Sequence, residues 1–435
     1  MGNGPKNGPS SGPGNGHGHG RAARVSRRGV LVGAASLAAG AAQAAEDALL
    51  QSLIRQYQRT EFGHGFDATS RTIAMPKASL PTLSQATIEH TERAITRYED
   101  IIAKGGWPTV PPVDRLGVGN RHSSVVPLRE RLAIVGDLDI SSGTPDVFDS
   151  YVEAAVRRFQ ARHGITTDGI LREQSFKALN LSADLRVAQL KANLARLRGL
   201  NSSFGSRFVI CNIPAAQIEA VENGAVVARY IAVVGKPDRA SPDINSRVVE
   251  ISFNPYWTVP VSIVRRDLIP RMQTEPEYLT KNHIRIFDYR KRELQPEQIN
   301  WNTEEAVHYQ FKQDPGEFNS LGAIRISFPN AHEVYMHDTP FKNLFGEDFR
   351  FHSSGCVRIQ NVRELVYWLL NETTGWPRVE VDRVIRQAER KDVRLARPMP
   401  LHWVYVTGWA SADGVVQFRD DIYGRDGLTS AASAG

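Results

Sequence analysis

The spacing of hydrophobic residues changes once along this chain, from helical to strand-like, at about residue 205. Before that point apolar residues recur at helical spacing, as in Leu190, Leu194 and Leu197. Beyond it they occur in short runs separated by turn signals such as Asn223-Gly224. A chain of 435 residues is also too long for one ordinary hydrophobic core. We therefore predict a multidomain α+β protein, helical first and mainly β afterwards.

The helical half contains two predicted parts. Residues 46–122 carry two runs of helical periodicity, and Gly105-Gly106 ends the second. We assign no chemistry to this region and expect it to be a scaffold. Three shorter amphipathic faces follow within 123–184, where Gly164 is expected to cap the middle helix. This second part is predicted to be a compact three-helix domain.

A helix over residues 185–200 leads into a β-rich region that we expect to extend to residue 428. Strands are predicted at 207–213, 225–234, 247–253, 323–328 and 333–337, with a C-terminal β segment over 401–428. The polar, Pro- and Arg-rich segment 262–320 interrupts this sheet. Because it is longer than any normal strand connection, we predict an insertion with some structure of its own.

The first 45 residues are predicted to be a targeting segment. Residues 1–20 are rich in Gly, Asn, Pro and His and are not expected to bury a core. Arg27-Arg28 then precede an apolar run from Gly29 to Leu37, followed by Ala42-Gln43-Ala44 as a cleavage site. The arginine pair resembles a twin-arginine signal and predicts an exported, periplasmic protein. An ordinary signal peptide with incidental arginines is the alternative.

The net charge of +6 does not indicate a nucleic-acid-binding protein. Five cations precede the first acidic residue, Glu46, and all belong to the targeting segment. The remainder of the chain is close to neutral, without the basic footprint that binds a nucleic-acid backbone.

The two cysteines have different neighbours. Cys211 lies in the β-rich run from Arg207 to Pro214 and is expected to pack in a core. A disulfide between Cys211 and Cys356 is the alternative, although two cysteines make no disulfide framework. Cys356 is surrounded by Gly, Ser, His and Arg, so a reactive role explains it better.

A cysteine nucleophile requires a base, donors for an oxyanion and exposure to its substrate. His337, at the end of a predicted strand, can supply the base. The small residues Ser353-Ser354-Gly355 are expected to form a tight turn before the cysteine that leaves backbone N–H groups free. Cys356 is predicted to begin a helix whose dipole favours a thiolate. These residues indicate a Cys/His acyl-transfer enzyme. The alternative is a half-exposed cysteine with an unrelated histidine nearby.

The region from Val334 to Asn361 resembles the active-site motif of the L,D-transpeptidase (YkuD) family. That motif has a histidine, a gap of under twenty residues and then Ser/Thr-His-Gly-Cys; here 19 residues separate His337 from Cys356. The larger YcbB-type members are more similar still, since they share His-Asp-Thr-Pro, Asn-Leu-Phe and Ser-Ser-Gly-Cys-Val-Arg. The run from Val156 to Ile165 likewise resembles the small peptidoglycan-binding domain of cell-wall enzymes. Together these likenesses span roughly residues 50–425.

One position departs from the broad family pattern. Ser354 stands where most members have a histidine two residues before the cysteine, so it is given no acid–base role. His352 is a candidate replacement, but we rank it below His337 because YcbB-type enzymes work without a histidine there.

The resemblance implies ping-pong acyl transfer on peptidoglycan stem peptides, with neither metal nor organic cofactor. Cys356 would attack the amide between diaminopimelate and the terminal D-alanine of a tetrapeptide stem, with His337 moving the proton. The N–H groups of Gly355 and Cys356, with the Tyr335 segment, would form the oxyanion hole, and the carbonyl of Asp338 would orient His337. An amine of a second stem would then attack the thioester.

Three further residues, Arg358, Ser353 and Ser354, are predicted to bind substrate, and Arg358 is equally consistent with a structural ion pair. Carbapenem-type inhibitors are expected to acylate Cys356. The competing functions are a hydrolase with the same acyl-enzyme, an L,D-carboxypeptidase or a lipoprotein-detaching enzyme, and a non-catalytic wall-binding scaffold. We also predict that segment 262–320 is a lid over Cys356; the alternative is a surface excursion that packs elsewhere.

Overall fold

The structure is a computed structural model, and it describes residues 79–428 except for residue 142 and residues 201–203. The predicted targeting segment, 1–45, lies outside the described residues, as does the part of region 46–122 that precedes residue 79. Among the described helices, none is long and apolar enough to span a bilayer. The described chain is helical first and mainly β afterwards, which is the mixed α+β architecture that the periodicity predicted.

Within the described residues, five α-helices precede the sheet. They are α1 (Gln85–Ala103), α2 (Val125–Ile134), α3 (Ser150–His163), α4 (Glu173–Asn180) and α5 (Ala183–Gly199). Three of them begin at a side-chain cap, because Ser84, Asp149 and Ser182 each accept a hydrogen bond from an N–H of the first turn. Gly164 ends α3 with a left-handed φ of +67°, as predicted for its cap.

Two apolar cores hold these helices. α2, α3 and α4 enclose the first, which includes the buried side chains of Leu128, Phe159 and Phe176. The long helices α1 and α5 pack against each other and against strands of the β-rich half in the second. Tyr98 of α1, for example, lies 5.8 Å from Phe418 between ring centroids. The three-helix region therefore has its own core, whereas α1 and α5 share one with the β-rich half.

The β-rich half contains fifteen strands in its described residues. In chain order they are β1 (Arg207–Asn212), β2 (Gln217–Glu222), β3 (Ala225–Gly235), β4 (Ile244–Phe253), β5 (Trp257–Thr258), β6 (Ile284–Phe287), β7 (Glu293–Leu294), β8 (Gln310–Gln313), β9 (Ile324–Ser327), β10 (Met336–His337), β11 (Phe351–Ser353), β12 (Val357–Ile359), β13 (Lys391–Val404), β14 (Gly408–Ala410) and β15 (Val416–Phe418). Nine form one sheet in the order β11-β3-β12-β10-β9-β4-β13-β1-β2, and it closes on itself because β3 also pairs with β2.

Two strands differ from the predictions. β2 was not predicted, yet it pairs antiparallel with both β1 and β3, and the turn at Asn223-Gly224 connects it to β3. The predicted strand 333–337 is shortened to β10. The reason is the side chain of Asn330, which accepts hydrogen bonds from the N–H groups of His332 and Val334 at 3.0 and 3.1 Å and holds the preceding residues in a turn.

The segment that interrupts the large sheet has a small sheet and a core of its own. Strands β5 to β8 form a four-stranded sheet in the order β5-β8-β6-β7, so the small sheet begins at Trp257 rather than at residue 262. Three short helices pack on it around Leu268 and Phe311. They are α6 (Val261–Ile263), α7 (Ile269–Thr274) and α8 (Tyr278–Lys281), with a π-helical turn over Val264–Leu268 between the first two. Helices α9 (Val362–Leu370) and α10 (Arg378–Arg386) follow β12.

Candidate active site

The candidate active site lies on two neighbouring strands of the large sheet, β10 and β12. They run parallel, with Met336 opposite Val357 and His337 opposite Arg358. Met336 and Val357 are fully buried in the apolar core. Because successive residues of a strand point to opposite faces, their neighbours in sequence point away from this core.

Four of the predicted site residues share that other face: Tyr335 and His337 from the β10 segment, and Cys356 and Arg358 from the β12 segment. All four line one cavity of about 590 Å³. Much of the remaining wall comes from the insertion, through α6, the π-helical turn and α7. The candidate nucleophile and base therefore open into the same space, and segment 262–320 lies against them. Its influence on substrate selection stays a prediction.

His337 is held in the tautomer that a base requires. Its Nδ1 lies 2.5 Å from the carbonyl oxygen of Asp338, and a carbonyl can only accept, so Nδ1–H donates and Nε2 carries the free lone pair. Burial, together with the positive charge of Arg358, lowers the pKa of His337 to about 3. The imidazole is therefore neutral at physiological pH.

The backbone carbonyl of Asp338 orients His337. The carboxylate of Asp338 in turn holds this backbone in place. One carboxylate oxygen accepts a hydrogen bond from the N–H of Ala323 at 3.2 Å, and the other pairs with Lys342. Gly322 allows this close approach, because a Cβ there would lie 2.5 Å from the Asp338 carboxylate. The arrangement agrees with the orienting role that the resemblance implied for this carbonyl.

Cys356 is half-buried and is a neutral thiol rather than a thiolate. Burial raises its pKa to about 11, although an N–H and a hydroxyl from Tyr335 and the charge of Arg358 oppose that effect. The predicted helix at Cys356 is wrong. β12 follows the cysteine directly, and the next helix, α9, begins at Val362. The residues that follow Cys356 therefore do not supply the helix dipole that was expected to favour a thiolate.

Tyr335 places a hydroxyl at the sulfur of Cys356, and Trp257 determines which way that hydroxyl points. The indole Nε1 of Trp257 lies 3.1 Å from the Tyr335 hydroxyl oxygen. An indole N–H can only donate, so the Tyr335 oxygen accepts, and its own hydrogen is left for the Cys356 side chain. Sequence reasoning did not assign Trp257 a role.

The turn before Cys356 is shaped by Ser353 rather than left open for substrate. The Ser353 hydroxyl donates to the carbonyl of Cys356 at 2.5 Å and accepts the N–H of Gly355 at 3.2 Å, and Ser353 is only 2% exposed. Ser353 is therefore a positioning residue. The Gly355 N–H was predicted to be part of the oxyanion hole, but it already donates its hydrogen bond to the Ser353 hydroxyl. Among the described residues, no acceptor contacts the Cys356 N–H. Gly355 has a φ of +110°, which only glycine adopts without strain.

Ser354 connects the cysteine loop to the insertion. It is exposed, and its hydroxyl accepts a hydrogen bond from Arg239 at 3.0 Å. The same guanidinium donates to both carboxylate oxygens of Asp267, in the π-helical turn, at 2.5 and 3.0 Å. Arg239 has no recognisable motif around it, and sequence reasoning missed it.

Arg358 and His352 differ in whether their side chains already have a polar partner within the protein. Arg358 has no acidic partner among the described residues, so the structure does not supply the ion pair that was its alternative role. His352 also lines the cavity, but its Nε2 lies 2.8 Å from both Glu347 and the carbonyl of Phe349. That occupation is consistent with ranking it below His337.

The other cysteine, Cys211, does not line this cavity. Cys211 is fully buried in β1 and is a free thiol, as is Cys356. Burial raises the pKa of the Cys211 thiol strongly. Within residues 79–428 and their stated gaps, no group of three or more His, Cys, Asp or Glu side chains is placed to hold a metal ion.

Two stretches of this chain match known protein families. Residues 206–384 match the YkuD family model, described as "L,D-transpeptidase catalytic domain". Residues 121–179 match a model described as "Putative peptidoglycan binding domain". A curated protein of Haemophilus influenzae named "Putative L,D-transpeptidase" is 29% identical over 239 residues, which cover 55% of this chain and 48% of that protein. The chain thus spans about half the length of this curated relative.

Two solved structures are also similar. An L,D-transpeptidase from Xylanimonas cellulosilytica is 15% identical, covers 68% of this chain and 99% of that chain, and has a TM-score of 0.21. An L,D-transpeptidase from Stackebrandtia nassauensis is 11% identical, covers 68% and 97%, and has a TM-score of 0.25. Superpositions with TM-scores this low do not bear on function.

Proposed function

This chain carries a YkuD-type L,D-transpeptidase catalytic domain and a peptidoglycan-binding domain, and from that premise we propose that it cross-links peptidoglycan through Cys356. The observation that supports this most is the shared face of β10 and β12. It presents a neutral thiol, a neutral imidazole with a free Nε2, a phenol and an unpaired guanidinium to one cavity. Export to the periplasm by the twin-arginine pathway belongs to the same proposal, and Arg27-Arg28 motivates it.

The first half-reaction makes a thioester. Cys356 Sγ attacks the carbonyl carbon between diaminopimelate and the terminal D-alanine of a tetrapeptide stem, and His337 Nε2 takes the thiol proton. The oxygen that becomes negative meets the Cys356 N–H and the Tyr335 hydroxyl. The C–N bond then breaks, and the His337 imidazolium gives its proton to the departing amine of D-alanine.

The second half-reaction transfers the acyl group. The neutral side-chain amine of a second stem attacks the thioester carbonyl, and His337 Nε2 takes the amine proton. The C–S bond breaks, and the proton returns to the sulfur of Cys356. One amide is broken and one is formed, so the reaction needs no external energy source. Water in place of the amine would give a tripeptide, which is the hydrolase alternative.

Mass spectrometry of muropeptides after incubation with a tetrapeptide substrate tests the proposal. We expect cross-linked dimers and one released D-alanine for each dimer. If tripeptides were the only product, the protein would be a hydrolase. If the substrate were unchanged, the remaining function would be that of a non-catalytic wall-binding scaffold.

The two cysteines provide a matched pair of variants for the same assay. Cys356→Ser should abolish both turnover and covalent labelling by a carbapenem, because a serine hydroxyl is a far weaker nucleophile in this setting. Cys211→Ser should leave both largely intact, because Cys211 is buried away from the cavity. Carbapenem labelling that followed Cys211 would overturn the assignment.

A further inference from the structure

The cavity around Cys356 is strongly cationic. Five basic side chains line it: Lys236, Arg239, Arg266, Arg271 and Arg358. Two carboxylates, those of Asp267 and Glu333, line it as well. The described chain as a whole has no such imbalance, since the net charge of +6 arises mostly in the leader. The excess is therefore a local property of the site.

Two of the five cations are already neutralised. Arg239 makes the two hydrogen bonds to Asp267, and Arg271 pairs with Glu275 at 2.8 Å. Lys236, Arg266 and Arg358 make no ion pair with any described residue. Glu333 also has no basic partner among them.

The three unpaired cations come from separate elements and all line the cavity. Lys236 follows β3 directly, and its N–H is bonded to the carbonyl of Ser353 at 3.0 Å, next to the cysteine loop. Arg358 is in β12, two residues after Cys356. Arg266 comes from the π-helical turn of the insertion. Because like charges that line one cavity add to its potential, three unpaired cations attract an anion into it more strongly than one of them would alone.

We propose that this cavity selects stem peptides whose carboxylates are free over stems in which they are amidated, with Lys236 and Arg266 as specificity-determining residues alongside Arg358. The inference rests on the proposed function, because it names the chemical class of stem that the same site accepts. Amidation replaces one oxygen by NH₂ at nearly constant shape, so it removes the charge and little else. It also adds a hydrogen-bond donor to a ligand whose cavity is already lined by three unpaired cationic donors.

A pair of thiol reagents tests the charge preference without any assumption about the natural reaction. Iodoacetate and iodoacetamide both alkylate a thiol with loss of iodide and differ mainly in charge. The alkylation rate of Cys356 with each reagent is measured by mass spectrometry of the peptide that contains Cys356. Each rate is then divided by the rate at which the same reagent alkylates glutathione. We expect the normalised iodoacetate-to-iodoacetamide ratio to exceed one and to fall as salt is added.

Two neighbouring arginines supply the matched variants for this ratio. Arg266→Gln should lower it by about threefold to tenfold, the effect of one unit charge within a cavity. Arg265→Gln makes the same change of net charge one residue away, but Arg265 pairs with Glu304 at 3.2 Å and does not line the cavity, so the ratio should stay constant. Glu333→Gln should raise it. A normalised ratio of one would overturn the proposal. An equal decrease of the ratio in Arg265→Gln and Arg266→Gln would overturn it as well.

Turnover of two synthetic tetrapeptide stems, one with free carboxylates and one amidated, completes the test. We expect a higher kcat/KM for the free stem, and Arg266→Gln should remove most of that advantage. Equal kcat/KM values would refute the selectivity while leaving the transpeptidase assignment intact. If neither stem reacted although the alkylation ratio behaved as expected, the proposed function would fail and the anion-attracting cavity would stand.

Discussion

At the scale of single residues, His337 and Cys356 line the same cavity as neutral groups. Burial raises the pKa of the thiol to about 11 and lowers that of the imidazole to about 3, so transfer of the proton between them is unfavourable in the free protein. The thiolate expected from the sequence depended on a helix that is absent from this position. In the proposed reaction, deprotonation therefore accompanies the attack on substrate, when the developing oxyanion meets its donors.

The neutral pair predicts a particular pH dependence. The pKa of Cys356 lies above the ordinary value for a thiol, so the thiolate is scarce at neutral pH and grows as the pH rises. We expect alkylation by iodoacetamide to accelerate by about tenfold for each pH unit between 7 and 10. His337 remains neutral throughout, because its lowered pKa lies far below this range. A rate that was already constant between pH 5 and 8 would instead indicate a preformed thiolate–imidazolium pair.

Two of the histidines that line the cavity, His337 and His352, should differ sharply when each is replaced. His337→Ala should slow acylation of Cys356 by a carbapenem by roughly 10²- to 10⁴-fold, the usual contribution of a general base. His352→Ala should have a minor effect, because its Nε2 already contacts Glu347 and the Phe349 carbonyl. Single-turnover acylation measures both. The reverse ranking would make His352 the base.

Sequence reasoning found the residues that have a motif and missed those positioned only by the fold. The chemistry of His337 and Cys356, together with the resemblance of their motif to the L,D-transpeptidase family, predicted the pair that the structure brings to one cavity. The engagement of the Gly355 N–H by Ser353 could not be foreseen, because hydrogen bonds inside a turn follow no periodicity. Arg239 reaches the cysteine loop from a connection more than a hundred residues earlier, and nothing local signals that contact.

At the scale of elements, the cysteine loop shows why a strand replaced the expected helix. Small residues before a reactive cysteine are typical of helix starts, but Val357 and Ile359 are β-branched and alternate with a polar residue, which favours a strand. Pairing with β10 on one side and β3 on the other then fixes that choice. This pairing also puts Arg358 on the face of Cys356, whereas a helix would have rotated it away.

The strand β5 makes a testable contribution through its tryptophan. Trp257→Phe keeps most of the packing but removes the N–H that orients the Tyr335 hydroxyl, so kcat should fall by about twofold to tenfold, the value of one hydrogen bond. Trp301→Phe is the matched control, because its N–H donates to the carbonyl of Pro296 at 2.8 Å, away from the cavity lining. Melting temperatures would verify that both variants fold. Equal kcat losses in the two would exclude an orienting role for Trp257.

At the scale of the whole molecule, the three-helix domain packs directly against the β-rich half. The carboxylate of Asp348 accepts a hydrogen bond from the N–H of Thr166 at 2.7 Å, and Arg419 donates to the carbonyl of Arg162 at 3.0 Å. His163 also stacks on Phe418 with ring centroids 5.6 Å apart. These contacts join the end of α3 to the loop before β11 and to the end of β15.

Loss of one of these contacts should weaken the docking measurably. Asp348→Ala should lower the free energy of unfolding by about 1–3 kcal/mol, because it removes a charged acceptor from a partly buried interface. It should also accelerate hydrogen exchange of the Thr166 amide. Asp243→Ala is the control, since that carboxylate is 67% exposed and pairs only with Arg425, which is worth about 1 kcal/mol at most. An unchanged Thr166 exchange rate would show that the domains are held elsewhere.

The order of domains was predictable from periodicity, but the closed sheet was not. β13 lies between β4 and β1, and β3 closes the ring through β2, so neighbours in the sheet are far apart in the chain. Such pairings depend on which hydrophobic faces meet after folding, and no local pattern of residues encodes them. The docking of the three-helix domain has the same origin, because Asp348 and Thr166 are 182 residues apart.

Because Cys211 is completely buried, a thiol titration of this protein can measure the fraction of correctly folded molecules in a preparation. Only one of its two thiols is exposed to a reagent in solution while the fold is intact. A mildly reactive thiol reagent should therefore be consumed to one equivalent per folded chain and to two after denaturation. The ratio of the two end points gives the fraction of a preparation in which the Cys356 thiol is accessible, before any substrate has been added.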